Sequence, residues 1–467
     1  MKRMTMNNHK KALRKLVPKA RITTEKAELE AYKDIIYTDE PPMATMVVKP
    51  TSYREVSKVL AYCNGHGIAV VPWGGATNLS GSLTPDREFL ALDIKGLNEV
   101  VDISSKKRSA TVQAGATIEK MERALNKQGM TLGHDPWSLK SATVGGAVAL
   151  DSAGNLFPKY GRAGDLVLSV KVALADGRIV SADPGTSRHP PSLFIGSSGT
   201  LGVILEVTFR IAPLPEFNEE LGYAFSSFPK MFEAVKALCS EGLEPQSYIG
   251  GTLPKVAVKL QPAAEQALVR MLKIKAALFM HYEGESKAVK THIKKANAIL
   301  KKHGKKMPDR HAEEWWHNRH TYFEMNSQLA DENIFLHVFD LGIPEDSILG
   351  VHKDMKELAN RFNLGDRISH SLFTSPDAYT LALYLDGEED YKTILKEFEN
   401  EVIDIVHGKG GTMARTHGLG SLYGKKDILV KEIGKDGLEF FWKMKNNLDP
   451  NNILNPGIVA RGSLNED

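Results

Sequence analysis

Residues 70–81 read VVPWGGATNLSG, an apolar run that breaks into paired glycines, and no other stretch narrows the available folds as much. Val70 and Val71 suit a buried strand that ends at Pro72. Gly74, Gly75 and Ala76 then remove the side chains that would keep a ligand away from the main chain, so backbone N–H groups can approach an anion closely. Thr77, Asn78 and Ser80 add hydrogen-bonding groups before Gly81. The chemistry suits a pyrophosphate. Yet the stretch has neither the Rossmann glycine spacing nor the Walker lysine, and taken alone it also fits a flexible surface turn.

Three further segments repeat the theme. Residues 132–165 carry Pro136, Ser138, Ser141, Thr143, Gly145 and Gly146, and then Ser152, Gly154 and Tyr160. The run LFIGSSGTLGVI places Gly199 and Gly202 directly before Val203 and Ile204, which open a strand. Near the C-terminus NNILNPG supplies Asn455. Between them the periodicity alternates. A strand in ATMVVKP precedes a helix in which Ser52 and Glu55 read as a capping box and Val56, Val59, Leu60 and Cys63 share one face. A second strand and helix place Ala110, Val112 and Ala114, then Ile118, Met121 and Leu125, inward. Asp176-Gly177 reads as a hairpin turn.

With 467 residues the chain exceeds the size at which one core stops growing, and 42% apolar content can fill more than one. A net charge of +3 with 25% charged residues does not call for a nucleic-acid partner. Cys63 and Cys239 cannot build a disulfide framework and lack metal-ligand spacing, which suggests a reduced, cytoplasmic protein. The basic start MKRMTMNNHKKALRKL has no apolar run long enough for a signal peptide, and no window reads as an integral membrane segment. The lysine-rich stretch 287–306 reads as an amphipathic helix burying Val289, Ile293, Ala296 and Ile299.

The four glycine-rich segments, in this order, resemble the FAD-linked oxidase superfamily, whose flavin domain is shared by vanillyl-alcohol oxidase, D-lactate and glycolate dehydrogenases and alkyldihydroxyacetonephosphate synthase. The similarity spans roughly residues 40–460. It implies an α+β fold: a two-part FAD-binding domain of the vanillyl-alcohol oxidase type over 1–215, an α+β cap over 216–425, and a helix and tail over 426–467 that return to the FAD domain. By this resemblance Pro72, Gly74, Gly75, Ala76, Thr77, Asn78, Ser80 and Gly81 hold the FAD diphosphate. Pro136, Ser138, Ser141, Thr143, Gly145 and Gly146 run beside it, and Ser152, Gly154 and Tyr160 face the flavin. Gly199, Gly202, Val203 and Ile204 form the adenine-side turn, and Asn455 approaches the ring. The first loop has no histidine to tether flavin, so FAD is expected to be dissociable; His134 is the alternative tether, in a setting that resembles noncovalent relatives.

The resemblance also implies substrate-side residues. His417, set among glycines in GKGGTMARTHGLGSLYGKK, matches a family motif beside the substrate and suits a general base. Arg415, two residues before His417, is a second candidate anion clamp. Arg319, three positions after Trp316, matches an arginine near the family's acidic substrates, with pairing to Glu313 or Glu314 as its structural competitor. His370 is assigned orientation or acid/base work, and Tyr379 matches an active-site tyrosine, with Tyr384 close enough to compete. Metal-bearing relatives carry further ligands here, whereas this chain keeps only His370, Asp377 and His417, so no metal is expected. The expected activity is oxidation of a small anionic 2-hydroxy acid such as D-lactate or glycolate. A synthase-like reaction on a phosphorylated lipid precursor and an electron-transfer subunit are the alternatives. The electron acceptor is not indicated, and a homodimer is left open.

Overall fold

The computed structural model describes residues 6–33, 42–183, 190–255, 258, 269, 271, 273–320, 333–386, 391–413, 418 and 426–459. A four-stranded sheet opens the fold in the order Ile22–Thr23, Ala44–Val48, Phe89–Asp93, Val70–Trp73. Ala44–Val48 and Val70–Trp73 both run parallel to Phe89–Asp93. Parallel strands need a crossover, and the helix Tyr53–His66 joins Ala44–Val48 to Val70–Trp73. It buries Val56, Val59, Leu60 and Cys63 as its periodicity predicts. Ser52 caps it by accepting from Glu55 N–H, but the other half of the expected box is rewired: the Glu55 carboxylate takes Thr51 N–H and pairs with Arg21. Arginine is the stronger partner for a carboxylate.

A second sheet is antiparallel and five-stranded, in the order Val100–Ser104, Ser109–Gln113, Val203–Arg210, Val167–Ala173, Ile179–Ala182. The predicted hairpin is present, with Gly177 at φ 86° in its turn. Helix Ile118–Asn126 buries Ile118, Met121 and Leu125. One core joins the two sheets, for example Val48, Val70 and Leu92 with Val112, Val172 and Val207.

A separate core lies under an eight-stranded sheet that begins at Phe217–Phe225 in the sequence. Its strands include Ala276–Gly284, Ser247–Thr252, Ile368–Phe373, Ala378–Asp386 and Ile334–Gly342. Helices Phe228–Ser240, Ser286–His303, Ile348–Arg361 and Tyr391–Gly408 cover one face. The lysine-rich helix buries Val289, Ile293 and Ala296 as expected; Leu300, one four-residue step beyond Ala296, is buried with them, and Ile299 packs half-buried against the same core. The other face turns towards the first two sheets: alternation brings Phe279, His281 and Glu283 onto it, and Phe373 meets Trp137 edge-on at 5.4 Å. Among the described residues no helix is long and apolar enough to cross a membrane.

Helix Lys426–Leu448 kinks at Gly434, and the tail beyond Asp449 docks on the first sheet, where Val70 N–H donates to Ile453 O and Asn455 N–H to Val70 O.

Candidate functional site

The strand Val70–Trp73 delivers the chain into the glycine loop, and the loop holds its shape by its own contacts. Asn78 Oδ1 accepts from Ser80 N–H at 2.8 Å and from Ser80 Oγ at 2.6 Å, while Ala76 and Gly81 take φ of 53° and 75°. The second segment presses directly on this loop. A Cβ on Gly75 would lie 2.0 Å from Ser141 O, and one on Gly74 2.4 Å from Thr143 Oγ1, so both positions admit only glycine without movement of their neighbours. Thr143 also caps the helix Val144–Leu150 by accepting from Gly146 N–H.

The other segments close on the same place. Gly199, at φ 71°, lies against Pro72. Asn455 Nδ2 donates to Ser82 O at 2.9 Å and to Ser198 O at 2.8 Å, tying the tail to the first and third glycine segments at once. Ser152 Oγ meets His134 Nε2 at 3.1 Å, and a Cβ on Gly154 would strike Asp135 N. The Tyr160 ring covers Gly133, and its hydroxyl donates to Glu283 Oε1 at 2.8 Å, across to the eight-stranded sheet. Four of the expected contacts are also tightly packed: a Cβ on Gly145 would meet Ala114 and one on Gly202 would meet Val172, while Val203 and Ile204 are buried strand residues, so what these positions offer a ligand is chiefly backbone.

The cradle has the properties of an FAD site. Its two central glycines leave no room for side chains, and it keeps buried polar atoms without a protein partner, Asn455 Oδ1 and His134 Nδ1. A buried polar atom left unpaired is costly unless a ligand or water meets it. Burial pushes His134 down to about 4, so its imidazole is neutral near pH 7.

Two residues that the sequence reading passed over hold this cradle together. Lys445 and Asp449 form a fully buried ion pair at 2.5 Å. The Lys445 ammonium also donates to Thr200 O at 2.7 Å and Leu454 O at 2.8 Å, and Asp449 accepts from Ile453 and Leu454 N–H. Their four-residue spacing was visible, but in a helix rich in lysine it reads as a surface pair.

Across from the cradle, Arg319 stands neither with Glu313 nor with Glu314. Its Nε donates to Asp135 Oδ2 at 2.7 Å, Nη2 to Asp135 Oδ1 at 3.2 Å, and Nη1 to Trp316 O at 2.6 Å. The guanidinium lies 3.8 Å from the Trp316 ring centroid, and Trp316 stacks on His281 at 3.7 Å. Burial alone would raise the Asp135 carboxyl, but the hydrogen bond to His320 and the Arg319 charge outweigh it and hold it well below the usual range. Nearby, His281 bridges Glu220 and Glu283, and Glu283 also receives Lys159. Burial opposes the charge on Glu283, yet hydrogen bonds from His281 and Lys159 bring it down to about 2.

His370 and Tyr379 require a correction. Along Ile368–Phe373 the side chains alternate, and because Phe373 meets Trp137, His370 points to the opposite, helix-covered face. Tyr379, paired with Leu372, shares that face. There His370 Nδ1 lies 2.5 Å from the Tyr379 hydroxyl and its ring meets His352 edge-on at 4.5 Å, while burial holds its pKa well below the usual histidine value. Tyr384 belongs to the face turned towards the cradle, with Thr380 and Ala382. His417 and Arg415 lie outside the described residues. Gly418 is described: it sits at φ 71° against Leu150 O, at the end of the helix that follows Thr143.

An extended cradle of glycine segments, closed by an antiparallel sheet that sends charged side chains towards it, defines a two-part flavoenzyme. Residues 44–183 match the family described as "FAD binding domain", and residues 214–459, more than half of the chain, match "FAD linked oxidases, C-terminal domain". The chain belongs to the FAD-linked oxidase family; it is an FAD-dependent enzyme with the vanillyl-alcohol oxidase type of fold. It is 27% identical over 431 residues to "Glycolate oxidase subunit GlcD" of Bacillus subtilis (strain 168), covering 89% of this chain and 88% of that one. It is 26% identical over 447 residues to "D-lactate dehydrogenase" of Archaeoglobus fulgidus, covering 92% and 96%. A solved alkyldihydroxyacetonephosphate synthase shares the fold with a TM-score of 0.79 at 20% identity, covering 97% of this chain and 86% of that one.

Proposed function

We propose that this enzyme oxidises a small 2-hydroxy acid such as D-lactate or glycolate. The observation that carries the reading is Arg319, a cation held by Asp135 where the segment Leu132–Ser138 meets the cap face, with donors to spare for a carboxylate. The names of the two sequence relatives support the same substrate class. In this reading residues 1–215 hold FAD, 216–425 form the cap, and 426–467 are the helix and tail that return to the FAD domain. Bound FAD supplies a two-electron acceptor at flavin N5. Arg319 binds and orients the carboxylate, Arg415 adds positive charge, and His417 takes the hydroxyl proton. Tyr384, on the cradle-facing side, replaces Tyr379 as the tyrosine able to line the site.

A second reading rests on two segments, GHDPWS, 133–138, and SHSLFTSPDAYTLALYL, 369–385, which resemble the alkyldihydroxyacetonephosphate synthase branch. That branch acts on a phosphorylated substrate without net redox change. The His417→Asn variant tests the first reading. It should keep FAD and slow flavin reduction by the acid about 100-fold or more; reduction at the wild-type rate would remove His417 from the mechanism.

A further inference from the structure

The Asp135 carboxylate receives an unusual set of donors for a side chain with no assigned part in the chemistry. Arg319 Nε and Nη2 approach its two oxygens, His320 Nε2 lies 2.6 Å from Oδ1, and Asn155 Nδ2 donates to Oδ2 at 2.9 Å. An ionised carboxylate can only accept, so the shared proton with His320 sits on Nε2, and four donors use up the lone pairs. Asp135 therefore has nothing left to offer a substrate.

What it does is decide which edge of Arg319 is free. A guanidinium has five N–H groups in a fixed plane. Nε–H and one Nη2–H form the side edge, and both go to Asp135; one Nη1–H goes to Trp316 O. The remaining pair, one hydrogen on Nη1 and one on Nη2, is the end edge, whose spacing matches the two oxygens of a carboxylate. The plane is held in place by the Trp316 ring.

We infer that Asp135 is the positioning residue of the substrate site: by taking the side edge of Arg319, with His320 and Asn155 fixing its own orientation, it presents the end edge as a two-pronged carboxylate receptor. This rests on the 2-hydroxy-acid reading for the identity of the substrate, but not for the existence of the receptor. Asp135 was overlooked in the sequence because its partners lie 184 and 185 positions further along the chain.

Oxalate, an unreactive dicarboxylate, is the probe, and its binding is read from the change it causes in the visible spectrum of the FAD-loaded protein. Asp135→Asn should keep FAD and weaken oxalate about 10- to 100-fold, with Asp135→Glu falling between. With the acid that reduces the wild type, the same variant should raise KM by a similar factor and leave kcat nearly unchanged. Arg319→Ala should lose oxalate binding and regain it when guanidinium ion is added, whereas the Asp135→Asn, Arg319→Ala double variant should not, because the carboxylate that seats the added ion is gone. Equal rescue of both variants, unchanged oxalate affinity in Asp135→Asn, or no oxalate binding to the wild type would overturn the inference. If oxalate behaves as expected but no 2-hydroxy acid reduces the flavin, the receptor stands and the substrate assignment falls.

Discussion

Around Gly75 the molecule is built from backbone against backbone; around Asp135 it is built from charged side chains that meet across 184 residues of chain. The cradle tolerates almost no side-chain atoms, and its shape is set by which residues are absent. The cap face depends on which residues are present, and its members are held by one another: Arg319 by Asp135 and Trp316, His281 by Glu220 and Glu283. The first design is suited to holding a cofactor through invariant main-chain geometry. The second can change its substrate by changing side chains while the fold stays the same, and relatives in this family bear names for different substrates.

The comparison can be broken most sharply at Gly75. Gly75→Ala places a carbon 2.0 Å from Ser141 O, far inside contact distance, so the variant should fold, as judged by circular dichroism, yet elute without flavin absorbance. Retention of a full complement of FAD would mean that the 141–143 backbone yields easily and that the cradle is not set by close approach.

A smaller effect is expected where the cradle departs from its own rule and uses a charged pair. Lys445→Met leaves Asp449 buried without its cation, which should cost about 3–5 kcal/mol and loosen FAD by freeing Thr200 and the tail. Chemical denaturation and flavin release measure the two consequences separately. A loss of stability with unchanged FAD affinity would show that the pair serves the fold alone.

The smallest effect is a pH dependence. Burial raises Glu122 to about 7, although it accepts from Leu132 N–H, Thr131 and Gly133 N–H. Its folded value is above its ordinary 4.5, so the protonated carboxyl contributes stability that is fully present below that value and lost as pH rises through about 7. The melting temperature of the wild type should therefore fall by a few degrees more than that of Glu122→Gln between about pH 5 and pH 8. Parallel curves for the two proteins would deny Glu122 that role.

The contrast between the regions also explains what could be read from the sequence. Gly74, Gly75, Gly81 and Gly199 announced the cradle because glycine spacing is a local signal and the constraint it reflects is local or pairwise. The helix face of Val56, Val59, Leu60 and Cys63 was equally legible from its period. Asp135 and Lys445 were not, since nothing in their neighbourhoods indicates a partner from another sheet or the depth of burial. The face that His370 takes was not legible either, because a strand has a period of two and nothing beside His370 in the sequence says which alternate positions meet the covering helices.

The most direct test of the account is the anaerobic absorbance of FAD-loaded protein on addition of D-lactate, L-lactate, glycolate and D-2-hydroxyglutarate in turn. One of these acids should bleach the flavin rapidly, an effect weakened in Arg319→Lys chiefly through affinity. Flavin that dithionite reduces but none of the acids does would contradict it, and would turn attention to a phosphorylated substrate or to reduction by a partner protein.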